Sequence, residues 1–247
     1  MDLERAKKLS SALRIGLRYV RGLGDAAKEQ LAPVLAKRPR SIADLAERGK
    51  LDAQQMLALA HAGALHALEP ERRRAVWEVL RVARGSAGPL DLPGVERARP
   101  SLPIETRSER IAADFSRIGL SVDDHPVSLV RPQLDARGVV SAKGLEAWSR
   151  RHVRVAGLVI CRQRPSTARG FVFLTLEDEG GMVNVVVEPL VYEAQRRTIV
   201  GHAALEIDGE LQREQGVINV KAKTCRPLPL PWDGAPERPR VASHDFH

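Results

Sequence analysis

The chain has 247 residues, 43% of them hydrophobic, which suits two modest domains with connectors better than one small domain. A formal charge of +8 points to a polyanionic partner, with nucleic acid the commonest, although a merely solvated basic surface is the alternative. Two cysteines, Cys161 and Cys225, with no CxxC or His/Cys cluster, argue against a zinc site, and no apolar run approaches the length of a bilayer span. The expectation is a soluble, cytoplasmic protein.

The charge is unevenly spread. Residues 1–85 hold 17 Lys/Arg against 10 Asp/Glu and residues 150–228 hold 12 against 9, while residues 86–149 and the tail from 229 each come to −1. The excess thus falls on the two stretches that read as folded modules.

In chain order, residues 13–84 read as helical, with apolar residues at three- and four-residue steps such as Leu31, Val34, Leu35 and Met56, Leu57, Leu59, Ala60. Pro39 with Ser41 as N-cap, and Gly49 with Asp52 as N-cap, divide the run. A last helix runs from about Pro70 through Trp77 to about Arg84. Glycines and prolines from Gly85 to Pro103 predict a linker, a short helix follows from about Thr106 to Arg117, and residues 126–144 read as irregular.

From His152 the period becomes two. Val153, Val155, Leu158 and Ile160, then Val172, Leu174 and Leu176, then the run from Met182 to Val187 predict three strands. A helix over Pro189 to Val200 follows. Two more strands come after it, Ala204 to Leu211 and Val217 to Lys223, split by a turn at Arg213, Glu214, Gln215 and Gly216. Five strands with a helix between the third and fourth is the order of an OB-fold. The tail from Pro227 carries five prolines by Pro239. The predicted fold class is α+β multidomain, an all-α tandem helix-hairpin-helix domain followed by a five-stranded OB-fold β-barrel. The predicted boundaries are 1–85 for the hairpin domain, 86–149 for a Pro/Gly-rich linker with a short connecting helix, 150–228 for the OB-fold and 229–247 for an extended tail.

Residues 16–27 read as a hairpin, in which a short helix ends at Gly22, Leu23 and Gly24 and a second opens at Asp25. Glycine is expected twice, for unusual backbone angles and close approach. Leu23 would plug the space between the helices, and the free N–H groups at the new helix start would take a DNA phosphate, with Lys28 adding charge one turn on. The competing reading is an ordinary interhelical turn. Ala62, Gly63, Ala64 and Leu65 sit in a second, degenerate unit. Such contacts hold the duplex backbone without reading sequence.

In the OB-fold, the loop from Arg162 to Gly170 carries Arg162, Arg164 and Arg169 and no acid. Phe171 and Phe173 have opposite parity to Val172, Leu174 and Leu176. They are expected on the outer face as stacking platforms for single-stranded bases, with Asn184 adding hydrogen bonds and Arg154 meeting phosphate. The competing reading inverts the faces and puts the phenylalanines in the core. Glu177, Asp178 and Glu179 read as a solvated turn beside a plain Gly180-Gly181 hairpin, and consecutive acids cannot share one ion. His125-Pro126 and the tail residues His244 to His247 lack partners at a useful spacing. No catalytic residue, metal site or cofactor is expected.

Several runs resemble bacterial C-family DNA polymerases. The run from Arg14 to Gly24 is similar to the family's hairpin region. Residues 58–68 and 114–126 resemble the segments that follow, and residues 170–179 resemble its OB domain. The ending Ser243 to His247 resembles the close of the error-prone branch, whose whole enzymes are related to the polymerase III alpha subunit. The match covers residue 13 to the end. It implies a part in translesion, damage-induced DNA synthesis for the whole enzyme, whose phosphoesterase-like, palm and fingers regions would precede residue 13. This chain, a split-gene product, a remnant or a stand-alone protein, is therefore expected to bind duplex and single-stranded DNA without polymerase catalysis. Its expected partners are a polymerase catalytic subunit or mutagenesis accessory proteins, and no membrane. A protein-docking OB module and a tRNA-binding OB protein are the alternatives.

Overall fold

The computed structural model describes residues 16–85, 101–121, 124–214, 216–231 and 244–246. Arg14 and Ile15, most of the expected linker (86–100), Gln215 and the tail over 232–243 lie outside them. The chain forms two compact units, Met1–Glu105 and Thr106–His247.

The first unit is helical. A 3₁₀ turn over Leu17–Tyr19 leads through the glycine pair into α1 (Asp25–Ala36), and α2 (Ile42–Gly49), α3 (Ala53–His61) and α4 (Arg72–Gly85) follow. The stops read from sequence are real caps. Asp44 N donates to the Ser41 hydroxyl at 3.0 Å, and Asp52 and Gln55 form a reciprocal capping box. Just past the end of α3, Gly63 has a positive φ of 70°, which lets Ala64 N reach back to Leu59 O at 3.0 Å. Leu31, Leu45, Leu59, Leu65 and Val79 are buried between the helices.

In the second unit α5 (Arg107–Arg117) opens on a capping box of Thr106 and Glu109, and α6 (Arg131–Ala136) follows. The barrel strands are β1 (His152–Gln163), β2 (Val172–Asp178), β3 (Gly181–Val187), β4 (Ala204–Glu214) and β5 (Val217–Pro227), with α7 (Pro189–Gly201) between β3 and β4. β1 pairs with β4 through its first half and with β2 through its second, and β3 pairs with β5 in parallel, so the five strands close. A bulge between Val159 and Cys161 bends β1 from one partner to the other. The close β4–β5 approach at Gly209 admits no side chain, since a Cβ there would sit 2.3 Å from Lys221 O. A sixth strand, β6 (His244–Phe246), pairs in parallel with the end of β1.

Inside the barrel lie Val153, Val155, Leu174, Leu176, Val185, Leu205, Ile207 and Val220. Residues 106–145, expected as connector, form a second apolar layer instead. Ile111, Phe115, Val127, Leu134 and Val139 pack with Ala156 and Leu158 of β1 and with Leu228 and Leu230. This layer covers the outside of mid-β1, and its apolar cluster includes no residue of β2, β3 or β5.

Candidate nucleic-acid interface

In the hairpin the two glycines differ. Gly22 has φ +87°, a conformation L side chains rarely adopt. Gly24 has ordinary extended angles (φ −63°, ψ 163°), so the expectation that both need unusual backbone is corrected. Gly24 is the N-cap of α1 and provides no side-chain cap, and a Cβ built on it would meet nothing within 4 Å. The start of α1 is therefore open to an outside anion, and its positive dipole end favours one. Leu23 is buried, 3% exposed. Lys28 is held by Asp25 at 2.8 Å, which tempers its charge toward a ligand.

On the barrel, Val172, Leu174 and Leu176 are core while Phe173 is 38% exposed, so the inverted reading of the faces fails. Phe171 precedes β2, half-buried, its N–H donating to Ala168 O. Asn184 is exposed on β3, opposite Thr175.

Two rows of outward positions cross the strands. One joins Cys161, Thr175, Asn184 and Asn219; the other joins Gln163, Phe173, Val186 and Lys221. A hydrogen-bonding row thus lies beside a row with an aromatic ring, which suits base edges and base faces respectively. Gln163, Thr175, Asn219 and Lys221 went unread in the sequence, although the polar parity of Asn219, Lys221 and Lys223 in β5 could have found the last two.

The arginines behave less uniformly than their sequence suggested. Arg162 turns under α7, where its guanidinium donates to Ile199 O at 2.9 Å and His202 O at 2.6 Å; it serves the helix C-terminus. Arg154 donates to Asp208 at 3.2 Å and to Arg137 O at 3.1 Å. Arg164 lies over the Tyr192 ring at 5.1 Å and 3.5 Å from Glu193, docking the loop on α7. Arg169 is exposed at φ +49°, with no partner among the described residues.

Asp178 is no solvated turn. It is 4% exposed and accepts from Ala142 N at 2.8 Å, Gly180 N at 2.7 Å, Gly181 N at 3.1 Å and Arg131 Nη2 at 3.1 Å. Burial pushes its carboxyl above the usual range, against the N–H groups that pull it down. The Arg107 guanidinium holds Asp124 down at about 2, and burial lowers the His125 imidazole to about 4. Burial raises the Cys225 thiol to about 11, as an inert core group. Among the described residues no group of three or more His, Cys, Asp or Glu could hold a metal ion, and no helix is long and apolar enough to cross a membrane.

Known families and proteins align with these features. A family described as a helix-hairpin-helix motif matches residues 2–75, and one described as an OB-fold nucleic acid binding domain matches residues 153–228. Error-prone DNA polymerase from Methylococcus capsulatus is 43% identical over 242 residues, 95% of this chain and 22% of that protein. The enzyme of the same name from Alkalilimnicola ehrlichii is 41% identical over 96% of this chain and 23% of its own length. That of Pseudomonas fluorescens is 43% identical over 95% and 22%. The chain thus spans about a fifth of the length of these relatives. Among solved structures, a chain of a replication protein A heterotrimer bound to ssDNA aligns at a TM-score of 0.27 and 16% identity, over 36% of this chain and 66% of its own.

Proposed function

Since this chain is homologous to error-prone DNA polymerases, and carries the hairpin and OB-fold that its resemblance to their C-terminal region implied, we propose that it is the DNA-holding part of such an enzyme. Residues 1–85 grip duplex backbone through the open start of α1, with Gly22 and Leu23 shaping the turn and Gly24 and Lys28 facing the phosphate. Residues 150–228 hold single-stranded template. Bases stack on Phe173, with Phe171 at the strand entrance and Asn184 beside it, while Arg169 and the outer parts of Arg154 and Arg164 meet phosphate. Arg162 acts from beneath by fixing the loop.

The observation that carries this reading is Phe173, exposed on the outer side of β2 while its neighbours Val172 and Leu174 lie in the core. Neither module brings polymerase chemistry, so the chain acts with a catalytic subunit or accessory proteins of damage-induced translesion synthesis, in the cytoplasm.

The test is binding of labelled oligothymidylate, blunt duplex and a primer–template with a single-stranded overhang, each at several salt concentrations. We expect all three to bind, the overhang substrate tightest. Affinity should fall linearly on a log–log salt plot, because phosphate contacts release counterions. Absence of salt-sensitive binding to any of them would overturn the proposal and favour a protein-docking role. Preferential binding of tRNA in competition would overturn the assignment to DNA.

A further inference from the structure

β6 lies where an OB barrel leaves an edge open. β4 pairs with β1 only as far as Leu158, opposite Ala204, while β1 runs on to Gln163. The edge of β1 that faced β4 is therefore unpaired by any barrel strand over its last residues, beside the loop that carries Arg164 and Arg169. β6 takes that edge in parallel, with His244 against Cys161, Asp245 against Arg162 and Phe246 against Gln163. An unpaired strand edge exposes backbone donors and acceptors, and covering it satisfies them.

The register makes this more than edge protection. Cys161 and Gln163 are the β1 members of the two rows that cross the outer face. With β6 in place, position 244 extends the row of Cys161, Thr175, Asn184 and Asn219. Position 246 extends the row of Gln163, Phe173, Val186 and Lys221. The five-position width continues from β5 to β6 without a break, and the added positions carry a histidine and a phenylalanine, residue types on which bases stack.

We propose that β6 is part of the single-strand surface. It widens the track by one strand, so that a bound strand crosses β5, β3, β2, β1 and β6, with Phe246 at the far end of the row that holds Phe173. This rests on the single-strand reading of the OB face. It adds a site outside the barrel, on a segment far along the chain from the strands that carry the rest of the surface.

The experiment measures affinity for oligothymidylates of about 4 to 16 nucleotides, the range that single OB-folds occupy. It uses the full chain, a Phe246→Ala variant and a chain ending at residue 243, with Phe173→Ala as reference and thermal melting on each. We expect Phe246→Ala and the shortened chain to bind the short oligomers as the full chain does. They should bind the long ones about fivefold or more weakly, the lower end of what a lost stacked base costs. Phe173→Ala should weaken both lengths. Length-independent, unchanged affinity in a Phe246→Ala chain that melts normally would overturn the proposal. If Phe173→Ala also binds normally, the single-strand reading itself falls; if Phe173→Ala weakens and Phe246→Ala does not, only the role of β6 falls. Should the shortened chain melt early, Phe246→Ala, which keeps the backbone pairing, decides.

Discussion

Replacing Asp178 by alanine should loosen the layer over residues 131–144 while leaving the barrel strands paired. The carboxylate takes three backbone N–H groups and one arm of Arg131, whose own side chain is 14% exposed and also reaches Glu179. Removing a partner from a buried charged pair typically costs about 3–5 kcal/mol. Here Gly180 and Gly181 are exposed, so water replaces the lost acceptor for their N–H groups, and Arg131 keeps Glu179. The low end, about 3 kcal/mol, is therefore expected for Asp178→Ala. Asp178→Asn should cost about half as much, because its amide oxygen still accepts from the turn. Urea unfolding of the full chain, fitted with separate transitions for the two units, gives the loss. Hydrogen exchange at the Ala142 amide should speed up first. A loss below about 1 kcal/mol, with Ala142 still protected, would refute this account. It would mean that the apolar contacts of Val140, Ala142 and Leu145 alone hold the segment.

Gly24→Val should cost no more than about 1 kcal/mol of stability, since its side chain would enter open space although valine is a poorer N-cap than glycine, yet it should weaken duplex binding. Gly22→Ala should lower stability by about 1 kcal/mol because of the positive φ, measured by the same urea titration. Arg162→Ala should cost about 1–3 kcal/mol through the lost α7 carbonyl contacts while the salt slope of single-strand binding stays the same. The His125 imidazole, lowered by burial to about 4, gives stability that is complete above its unfolded value near 6.5 and declines as pH falls toward 4. His125→Asn, which keeps an acceptor for Val127 N, should remove that decline in a pH series of urea midpoints.

Much of the fold is legible in the sequence because its signals are local. Ser41, Asp52 and Thr106 mark helix starts by supplying an oxygen where backbone N–H groups lack partners. The alternation of Val172, Leu174 and Leu176 against Phe173 separates two faces, because a strand shows them at every second residue, and burial decides which one is inside. The layer over 106–145 was hidden because its helical pieces are short and its order comes from distant partners, Asp178 on Arg131 and Ile111 beside Leu158. The arginines failed for the same reason. Composition counts three cations in the loop, yet Arg162 is turned toward carbonyls some 40 residues along the chain and Arg164 toward Tyr192, and no local pattern records either. β6 pairs across more than 80 positions, from His244 back to Cys161, so its place in the sheet could not be read from the run around it.

The most direct test of the central claim compares Phe173→Ala with the unaltered chain in two measurements, single-strand affinity and thermal melting. Because Phe173 is exposed on the outer face and is no part of the barrel core, truncation should cost at most about 1 kcal/mol of stability, well short of the 3–5 kcal/mol typical of a core phenylalanine. If bases stack on the ring, affinity should fall by about 1–3 kcal/mol with the salt slope unchanged, since no phosphate contact is lost. Normal affinity in a normally melting Phe173→Ala protein would contradict the claim that this face of the barrel holds single-stranded DNA.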